Sequence, residues 1–171
     1  MKGTEKYMNN LSNKGEPPTK PIYLNLGCGD DYITYLDIKV VNVDKNKLVK
    51  CDLVLDLEKG SFPWKDNSID GIVAKHLVEH FLNPIPFMNE CWRVLKPDGQ
   101  IYIEVPAGGT VDYYKDPTHM RPFIEQTFRY FAEWNILPSY GIKKWVITFI
   151  EGHRGGENEN IIKVKMQPEK L

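Results

Sequence analysis

An apolar run that breaks into a glycine pair is the feature that most constrains the fold of this 171-residue chain. The run is Ile22-Tyr-Leu-Asn-Leu26, and it leads directly into Gly27-Cys28-Gly29. In open α/β sheets the ligand binds beyond the carboxyl ends of the parallel strands, where glycine lets the backbone approach it closely. The segment therefore predicts a strand that ends at a nucleotide-like ligand, with a plain structural turn as the alternative for so short a pattern.

Acidic residues follow the next two apolar runs. Asp44 ends the run Val40–Val43, and Asp56 stands near the end of the run Cys51–Leu57. In dinucleotide sites a carboxylate at the tip of the neighbouring strand accepts hydrogen bonds from the ribose hydroxyls. Asp44 is therefore the candidate ribose ligand, and the alternative is a surface aspartate that caps a turn.

The order and spacing of several motifs resemble those of the small class I S-adenosylmethionine-dependent methyltransferases. The resemblance covers roughly residues 22–131. It rests on the following segments: Leu24-Asn-Leu-Gly-Cys-Gly29, Asn42-Val-Asp44, Asp56-Leu-Glu58, Phe62-Pro-Trp-Lys-Asp-Asn-Ser-Ile-Asp70, His76-Leu-Val-Glu-His80 and Arg93-Val-Leu-Lys-Pro-Asp-Gly99. The combination is far more specific than any one of these motifs.

That resemblance implies S-adenosyl-L-methionine as the cofactor and in-line transfer of its methyl group to an acceptor. Gly27 and Gly29 would then lie behind the methionine and ribose of the cofactor. Asp44 would bind the ribose, Asp56 and Leu57 would border the adenine, and His76 would face the methyl group at the rim. Asn25, which stands where many members have an acid, and Cys28 complete the expected cofactor-binding set.

Short connections between the first strands set the expected architecture. Only residues 27–39 join the first two apolar runs. A parallel crossover usually needs a dozen or more residues and uses them for a helix, so this link is near the minimum and has room for a turn or two at most. We therefore expect an α/β, Rossmann-like, mostly parallel sheet that is trimmed of one or more N-terminal helices. Residues 1–20 are expected to be a flexible N-terminal tail and residues 21–171 a single methyltransferase-like domain. The tail or a second subunit should shield the thin edge of the sheet.

Periodicity predicts the elements of the second half. Apolar residues at three- and four-residue spacing predict a helix over Pro84–Leu95, and a second helix is expected over Ile124–Trp134. A fifth strand is expected over Gln100–Val105. The last apolar runs, Trp145–Ile150 and Ile161–Met166, should pair as a hairpin and give the sheet an antiparallel C-terminal edge.

The long loop over residues 106–122 is the candidate acceptor-binding segment. Histidine titrates near neutrality, so His119, oriented by Asp116, is the preferred general base and His76 the second choice. Tyr113 and His80 are expected to contact the substrate. The alternative for the loop is a lid that is fastened by a turn contact between Asp116 and His119.

The segment His76-Leu-Val-Glu79-His80 also has the spacing of inverted zinc peptidases. Zinc needs both histidines on one face of a regular helix, but this motif directly follows a predicted strand and is itself followed by Asn83-Pro84. A zinc hydrolase is therefore a remote alternative, and no metal site is predicted. A non-catalytic module that binds S-adenosylmethionine or S-adenosylhomocysteine is the nearer alternative.

Composition bounds the partners. The net charge is −1, and a nucleic-acid substrate is disfavoured because no half of the chain is basic. No apolar stretch approaches the length of a membrane helix, and three cysteines without metal or redox spacing suit a reducing compartment. The expectation is therefore a cytoplasmic enzyme that acts on a small polar molecule, with a homodimer as the candidate assembly.

Overall fold

The computed structural model describes residues 20–59, 61–133, 137–152 and 160–170. Residues 1–19 of the predicted tail and the turn of the predicted hairpin lie outside these ranges. Within them the strands are β1 (Ile22–Leu26), β2 (Lys39–Asp44), β3 (Leu53–Val54), β4 (Ile69–Lys75), β5 (Leu95–Pro106), β6 (Trp145–Gly152) and β7 (Ile161–Pro168). The α-helices of the same ranges are α1 (Ile85–Val94), α2 (Val111–Tyr114) and α3 (Glu125–Glu133), and short 3₁₀ turns occupy Val78–His80 and Leu137–Tyr140.

The described strands form one sheet in the order β3-β2-β1-β4-β5-β7-β6. Strands β1 to β5 pair in parallel, and β7 pairs antiparallel with both β5 and β6. The mostly parallel sheet with an antiparallel C-terminal edge is therefore confirmed. Strand order reverses between β1 and β4, and such a switch point opens a crevice at the carboxyl ends of the strands.

The connections in the first half are irregular, as their length predicts. Residues 27–38 and 45–52 contain turns and bends but no helix. Three large apolar side chains in these links are exposed to solvent: Tyr35, Leu36 and Leu48. That the tail or a second subunit covers this edge stays a prediction.

Helices pack where the sequence periodicity places them. Helix α1 buries Phe87, Met88, Cys91 and Val94, and α3 buries Phe128 and Phe131. Because these residues recur at helical spacing, each helix presents one apolar stripe to the core and a polar face to solvent. No helix within the described ranges has both the length and the apolarity needed to cross a bilayer.

Three elements differ from the sequence predictions. Strand β3 is limited to Leu53–Val54, and Asp52 just before it is held to β2 by hydrogen bonds from the backbone and side-chain amides of Asn42 to its carboxylate. Strand β5 begins at Leu95 rather than at Gln100, through an irregular register against β4. Within the predicted loop 106–122, residues Val111–Tyr114 form the short helix α2, whose first turn is capped by Thr110.

Candidate active site

The glycine pair after β1 forms a tight turn at the carboxyl edge of the sheet. Gly27 and Gly29 have φ values of +68° and +47°, in the left-handed region that favours glycine. The amides of Gly27 and Cys28 both donate to the carbonyl of Val43, at 2.8 and 3.0 Å. The turn is thereby fixed against β2. A Cβ at position 29 would meet no atom within 4 Å, so the space beside Gly29 is open.

Asp44 lies directly beside this turn. Its Oδ2 accepts a hydrogen bond from the amide of Gly29 at 2.9 Å, and its Oδ1 accepts one from the amide of Asn46 at 2.8 Å. Each carboxylate oxygen retains a further lone pair for a ligand. The carboxylate is therefore held in one orientation at the end of β2, which is the position that a ribose-binding acid needs.

A cleft of about 780 Å³ opens at this edge. Its walls include Gly27, Gly29 and Asp44, and the segment Leu55–Glu58 forms another side. Desolvation opposes ionisation of Asp56, but the amide of Glu58 and the ammonium of Lys59 outweigh it and lower the pKa of that carboxyl. The cleft has the size of a small-molecule site and brings together most of the residues predicted to hold the cofactor.

Two predicted cofactor residues, Asn25 and Cys28, do not line this cleft. The side-chain amide of Asn25 is buried, and its Nδ2 donates to Asn42 Oδ1 at 3.0 Å and to the backbone carbonyl of Asp31 at 2.7 Å. The thiol of Cys28 is buried, and burial raises its pKa to about 11. Both side chains therefore support the turn from behind, whereas the sequence pattern assigned them to the ligand.

His76 stands at the end of β4 with a positive φ of +48°, which is uncommon for a residue with a side chain. Its Nδ1 lies 3.6 Å from Glu79 Oε1, and its Nε2 lies 3.4 Å from Glu104 Oε1. Interaction with Glu79 is the main cause that raises the pKa of His76, Glu104 adds to it, and burial opposes it. The imidazole is half exposed and lines the 780 Å³ cleft.

A second cleft of about 440 Å³ adjoins the first, and His76 and His80 line both. Asp116 and His119 lie in its wall, as the sequence predicts for the acceptor side. Tyr113, which was expected to contact the substrate, is buried and does not line either cleft; its ring stacks on His119 at a centroid distance of 5.3 Å. Tyr113 therefore supports the imidazole of His119.

Hydrogen bonds determine which ring nitrogen carries the proton in His80 and in His119. His119 Nδ1 lies 2.7 Å from the carbonyl of Tyr113, and a carbonyl only accepts, so Nδ1 carries the proton. Thr118 Oγ1 donates to Asp116 Oδ1 at 2.7 Å and therefore accepts from His80 Nδ1 at 3.0 Å. In neutral His80 and His119, Nε2 is consequently the lone-pair nitrogen.

Asp116 completes this arrangement. The hydroxyl and the amide of Thr118 both donate to its Oδ1, and they lower the pKa of the Asp116 carboxyl. Its other oxygen, Oδ2, lies 3.7 Å from His119 Nε2. The predicted pair of His119 and Asp116 is therefore close in space, although its two groups are beyond direct hydrogen-bond distance.

Glu79 is absent from the predicted methyltransferase site, and the sequence names it only as part of the remote zinc alternative. Its side chain has no exposed surface, and neither carboxylate oxygen has a hydrogen-bond partner within the described residues. Its Oε1 lies 3.6 Å from His76 and 3.9 Å from His119. The signal was present in the spacing of His76, Glu79 and His80, but that motif spans a strand end and a 3₁₀ turn instead of the regular helix that an inverted zinc peptidase uses.

Comparisons with known proteins agree with this geometry. A family model described as a methyltransferase domain matches residues 24–103. A probable S-adenosylmethionine-dependent methyltransferase of Mycolicibacterium smegmatis is 28% identical over 112 residues, which cover 58% of this chain and 43% of that protein. One from Mycobacterium tuberculosis is 27% identical over 112 residues, with coverage of 58% and 40%. The chain thus spans less than half the length of these curated relatives.

Solved structures show the same fold at lower sequence identity. An S-adenosylmethionine-dependent methyltransferase from Archaeoglobus fulgidus has a TM-score of 0.61 and 19% identity, covering 87% of this chain and 86% of that one. One from Aquifex aeolicus has a TM-score of 0.61 and 18% identity, covering 87% and 82%. The resemblance drawn from the motifs, and the architecture it implies, are confirmed.

Proposed function

We propose that this chain, which carries a methyltransferase domain over residues 24–103, binds S-adenosyl-L-methionine and transfers its methyl group to a small polar acceptor. One observation carries the proposal. Two left-handed glycines and the fixed carboxylate of Asp44 meet at a cleft that continues, past His76 and His80, into a second and polar cleft.

The first cleft fits the cofactor. The open space beside Gly29 admits a ligand close to the backbone, and Asp44 offers carboxylate lone pairs to ribose hydroxyls. Leu57 and Asp56 supply an apolar side chain and a hydrogen-bond acceptor for adenine on the opposite wall. When bound, S-adenosylmethionine supplies a methyl group on a sulfonium, and the positive charge makes that methyl carbon electrophilic.

The second cleft suits the acceptor. At about 440 Å³ it has the volume of a small-molecule site, and its histidine, aspartate and lysine side chains favour a polar ligand. His119 lines this cleft and its Nε2, which carries a lone pair, lies 3.7 Å from Asp116 Oδ2, so His119 is the proposed proton acceptor and Asp116 would stabilise its protonated form. His76 is a weaker candidate, because its raised pKa favours the imidazolium, which has no lone pair to offer.

Calorimetry with S-adenosylhomocysteine on the full chain tests the cofactor assignment. Asp44→Asn removes the charge that binds the ribose, and we expect affinity to fall roughly 10- to 100-fold, since each hydrogen bond to a charged group contributes about 1.5–3 kcal/mol. Asp98→Asn, a matched change at an exposed position of β5, should bind like the wild type. Equal affinity of wild type and Asp44→Asn would overturn the assignment.

Transfer of tritium from methyl-labelled S-adenosylmethionine into a deproteinised small-molecule extract tests the activity. The wild type should label this fraction, and Asp44→Asn should label it far more slowly. Binding of S-adenosylhomocysteine without any labelling would instead identify a non-catalytic binding module.

A further inference from the structure

Three groups that can each offer a lone pair meet beside the second cleft: His80 and His119 line it, and Glu79 is buried next to them. One carboxylate oxygen of Glu79 and one ring nitrogen each of His80 and His119 lie within 4.8 Å of one another. We propose that these three side chains form a binding site for a divalent transition-metal ion of the zinc and cobalt class. The inference depends on the geometry of the cleft and is independent of the proposed methyl transfer.

The burial of Glu79 is the first argument. A carboxylate that is removed from water needs a hydrogen-bond donor or a positive charge, because its desolvation is costly. Glu79 is fully buried, and both of its oxygens lack a hydrogen-bond partner among the described residues. The His76 ring lies 3.6 Å away, beyond direct hydrogen-bond distance. A cation bound directly between Glu79 and the imidazoles of His80 and His119 would therefore satisfy the carboxylate more completely.

The orientation of the imidazoles is the second argument. Histidines that bind metals almost always donate their other ring N–H to a carbonyl, a carboxylate or a water, which fixes the tautomer. His119 donates Nδ1–H to the carbonyl of Tyr113, and His80 donates Nδ1–H to Thr118, whose hydroxyl is in turn held by Asp116. Both imidazoles are therefore prepared as Nε2 ligands, and both have supporting partners.

The backbone holds the two ligand segments together. The amides of Met120 and Arg121 donate to the carbonyl of Glu79, at 2.8 and 3.1 Å, so the loop that carries His119 is tied to the turn that carries Glu79 and His80. His119 Nε2 lies 3.9 Å from Glu79 Oε1, whereas two ligands of one tetrahedral zinc are roughly 3.4 Å apart. Small side-chain rotations would close that difference.

The chemistry of the ligands selects the ion. Two imidazoles and one carboxylate suit zinc, cobalt and neighbouring divalent ions better than magnesium or calcium, which prefer oxygen ligands only. Three protein ligands leave a coordination position open, and the 440 Å³ cleft gives access to it. Because a bound ion would take the lone pair of His119 Nε2, the ion-loaded form and the proton-accepting form of His119 are alternatives.

Titration of the tag-free, chelator-treated full chain with cobalt chloride tests the proposal. We expect visible d–d absorption that saturates at one cobalt per chain and disappears when zinc is added. Glu79→Gln and His119→Asn should each weaken cobalt binding at least about 10-fold. Glu104→Gln, a neighbouring glutamate outside the cluster, and His76→Asn should keep it. Absence of saturable absorption, or equal weakening by Glu104→Gln, would overturn the proposal.

Thermal unfolding separates the metal site from a simple ion pair between Glu79 and a protonated histidine. For a metal site, cobalt raises the Tm of the wild type and leaves that of Glu79→Gln unchanged. If cobalt shifts the Tm of neither protein, the charge partner of Glu79 is the His76 imidazolium and the inference fails.

Calorimetry with S-adenosylhomocysteine on the same preparations keeps this result apart from the proposed function. Ligand binding without cobalt binding overturns the metal site alone, and cobalt binding without ligand binding overturns the cofactor assignment alone.

Discussion

Alanine at three left-handed glycines separates backbone strain, crowding and ligand contact. Gly27, Gly29 and Gly141 have φ values of +68°, +47° and +67°. Placing an L-residue in this region costs roughly 1 kcal/mol. A Cβ at Gly29 or Gly141 meets no atom within 4 Å, whereas a Cβ at Gly27 would lie 2.7 Å from Leu77 Cδ1 and 3.1 Å from its Cγ.

These distances give three different expectations for the free energy of unfolding. Gly141→Ala should lose about 1 kcal/mol, which is the cost of φ alone, and Gly29→Ala should lose about the same. Gly27→Ala should lose about 2–4 kcal/mol, because displacing Leu77 adds an overpacking cost of roughly 1–3 kcal/mol. Urea unfolding followed by tryptophan fluorescence measures all three with a common slope.

Ligand affinity should follow a different order. Gly29 lines the 780 Å³ cleft, and its alanine methyl group would project into open space beside the expected cofactor. Affinity for S-adenosylhomocysteine should therefore fall at least about 10-fold in Gly29→Ala, or about 1.4 kcal/mol, and should stay unchanged in Gly141→Ala. Wild-type affinity in Gly29→Ala would refute the close approach of a ligand, and equal stability of Gly27→Ala and Gly141→Ala would refute the crowding at Leu77.

Two further predictions concern pH. The pKa of His76 is raised above its ordinary 6.5 by Glu79 and Glu104, so its imidazolium stabilises the fold below about pH 6.5, and this contribution is lost as the pH rises through the folded-state value. His76→Asn, which tolerates the positive φ, should flatten the stability profile above pH 6.5 in urea unfolding, and an unchanged profile would contradict the pairing. Hydrogen bonds from Arg93 lower the pKa of Glu90 below its ordinary 4.5, so this pair stabilises the fold above that pH and the contribution is lost as the pH falls through the folded-state value. Arg93→Met should therefore cost about 2 kcal/mol at neutral pH, and near pH 3 the cost should fall to the pH-independent part that comes from the unpaired carbonyls of Phe62 and Trp64; an equal loss at both pH values would show that the ion pair contributes nothing.

Local sequence predicts the helices and the succession of strands along the chain well. The predicted helices Pro84–Leu95 and Ile124–Trp134 are found as Ile85–Val94 and Glu125–Glu133. Periodic apolar residues, and the break in that period at Lys96-Pro-Asp-Gly99, are local signals, so the chain itself contains the information. The absence of helix over residues 27–38 follows from the length of the link in the same way.

Register and burial are less accessible because they depend on distant residues. Strand β3 is only two residues long, although Asp52 before it and Leu55 after it also bond to β2, and nothing in the run Cys51–Leu57 indicates so short a strand. Likewise, β5 begins at Leu95 because Ile69 pairs with it across an irregular register. Both outcomes are settled by the partner strand.

In the candidate site too, residues with a local signal are predicted, and those that depend on distant contacts are not. Gly27, Gly29 and Asp44 adjoin strand ends and reach the cleft, as the sequence predicts. The side chain of Asn25 faces Asn42 and not the cleft, although Asn25 stands only two residues before Gly27 in the sequence. Glu79 acquires its importance only when the loop carrying His119, about forty residues later, closes over it, and no local pattern reports such burial.

The links without helices between β1, β2 and β3 bear on the order in which the molecule assembles. A crossover helix supplies contacts between residues close in sequence, and α1 does so between β4 and β5. The links over residues 27–38 and 45–52 contain only turns and bends. We therefore expect the edge formed by β1 to β3 to consolidate last and to open first. A ligand that binds this edge would act as a folding partner, since it is bound by the half of the sheet with the least local reinforcement.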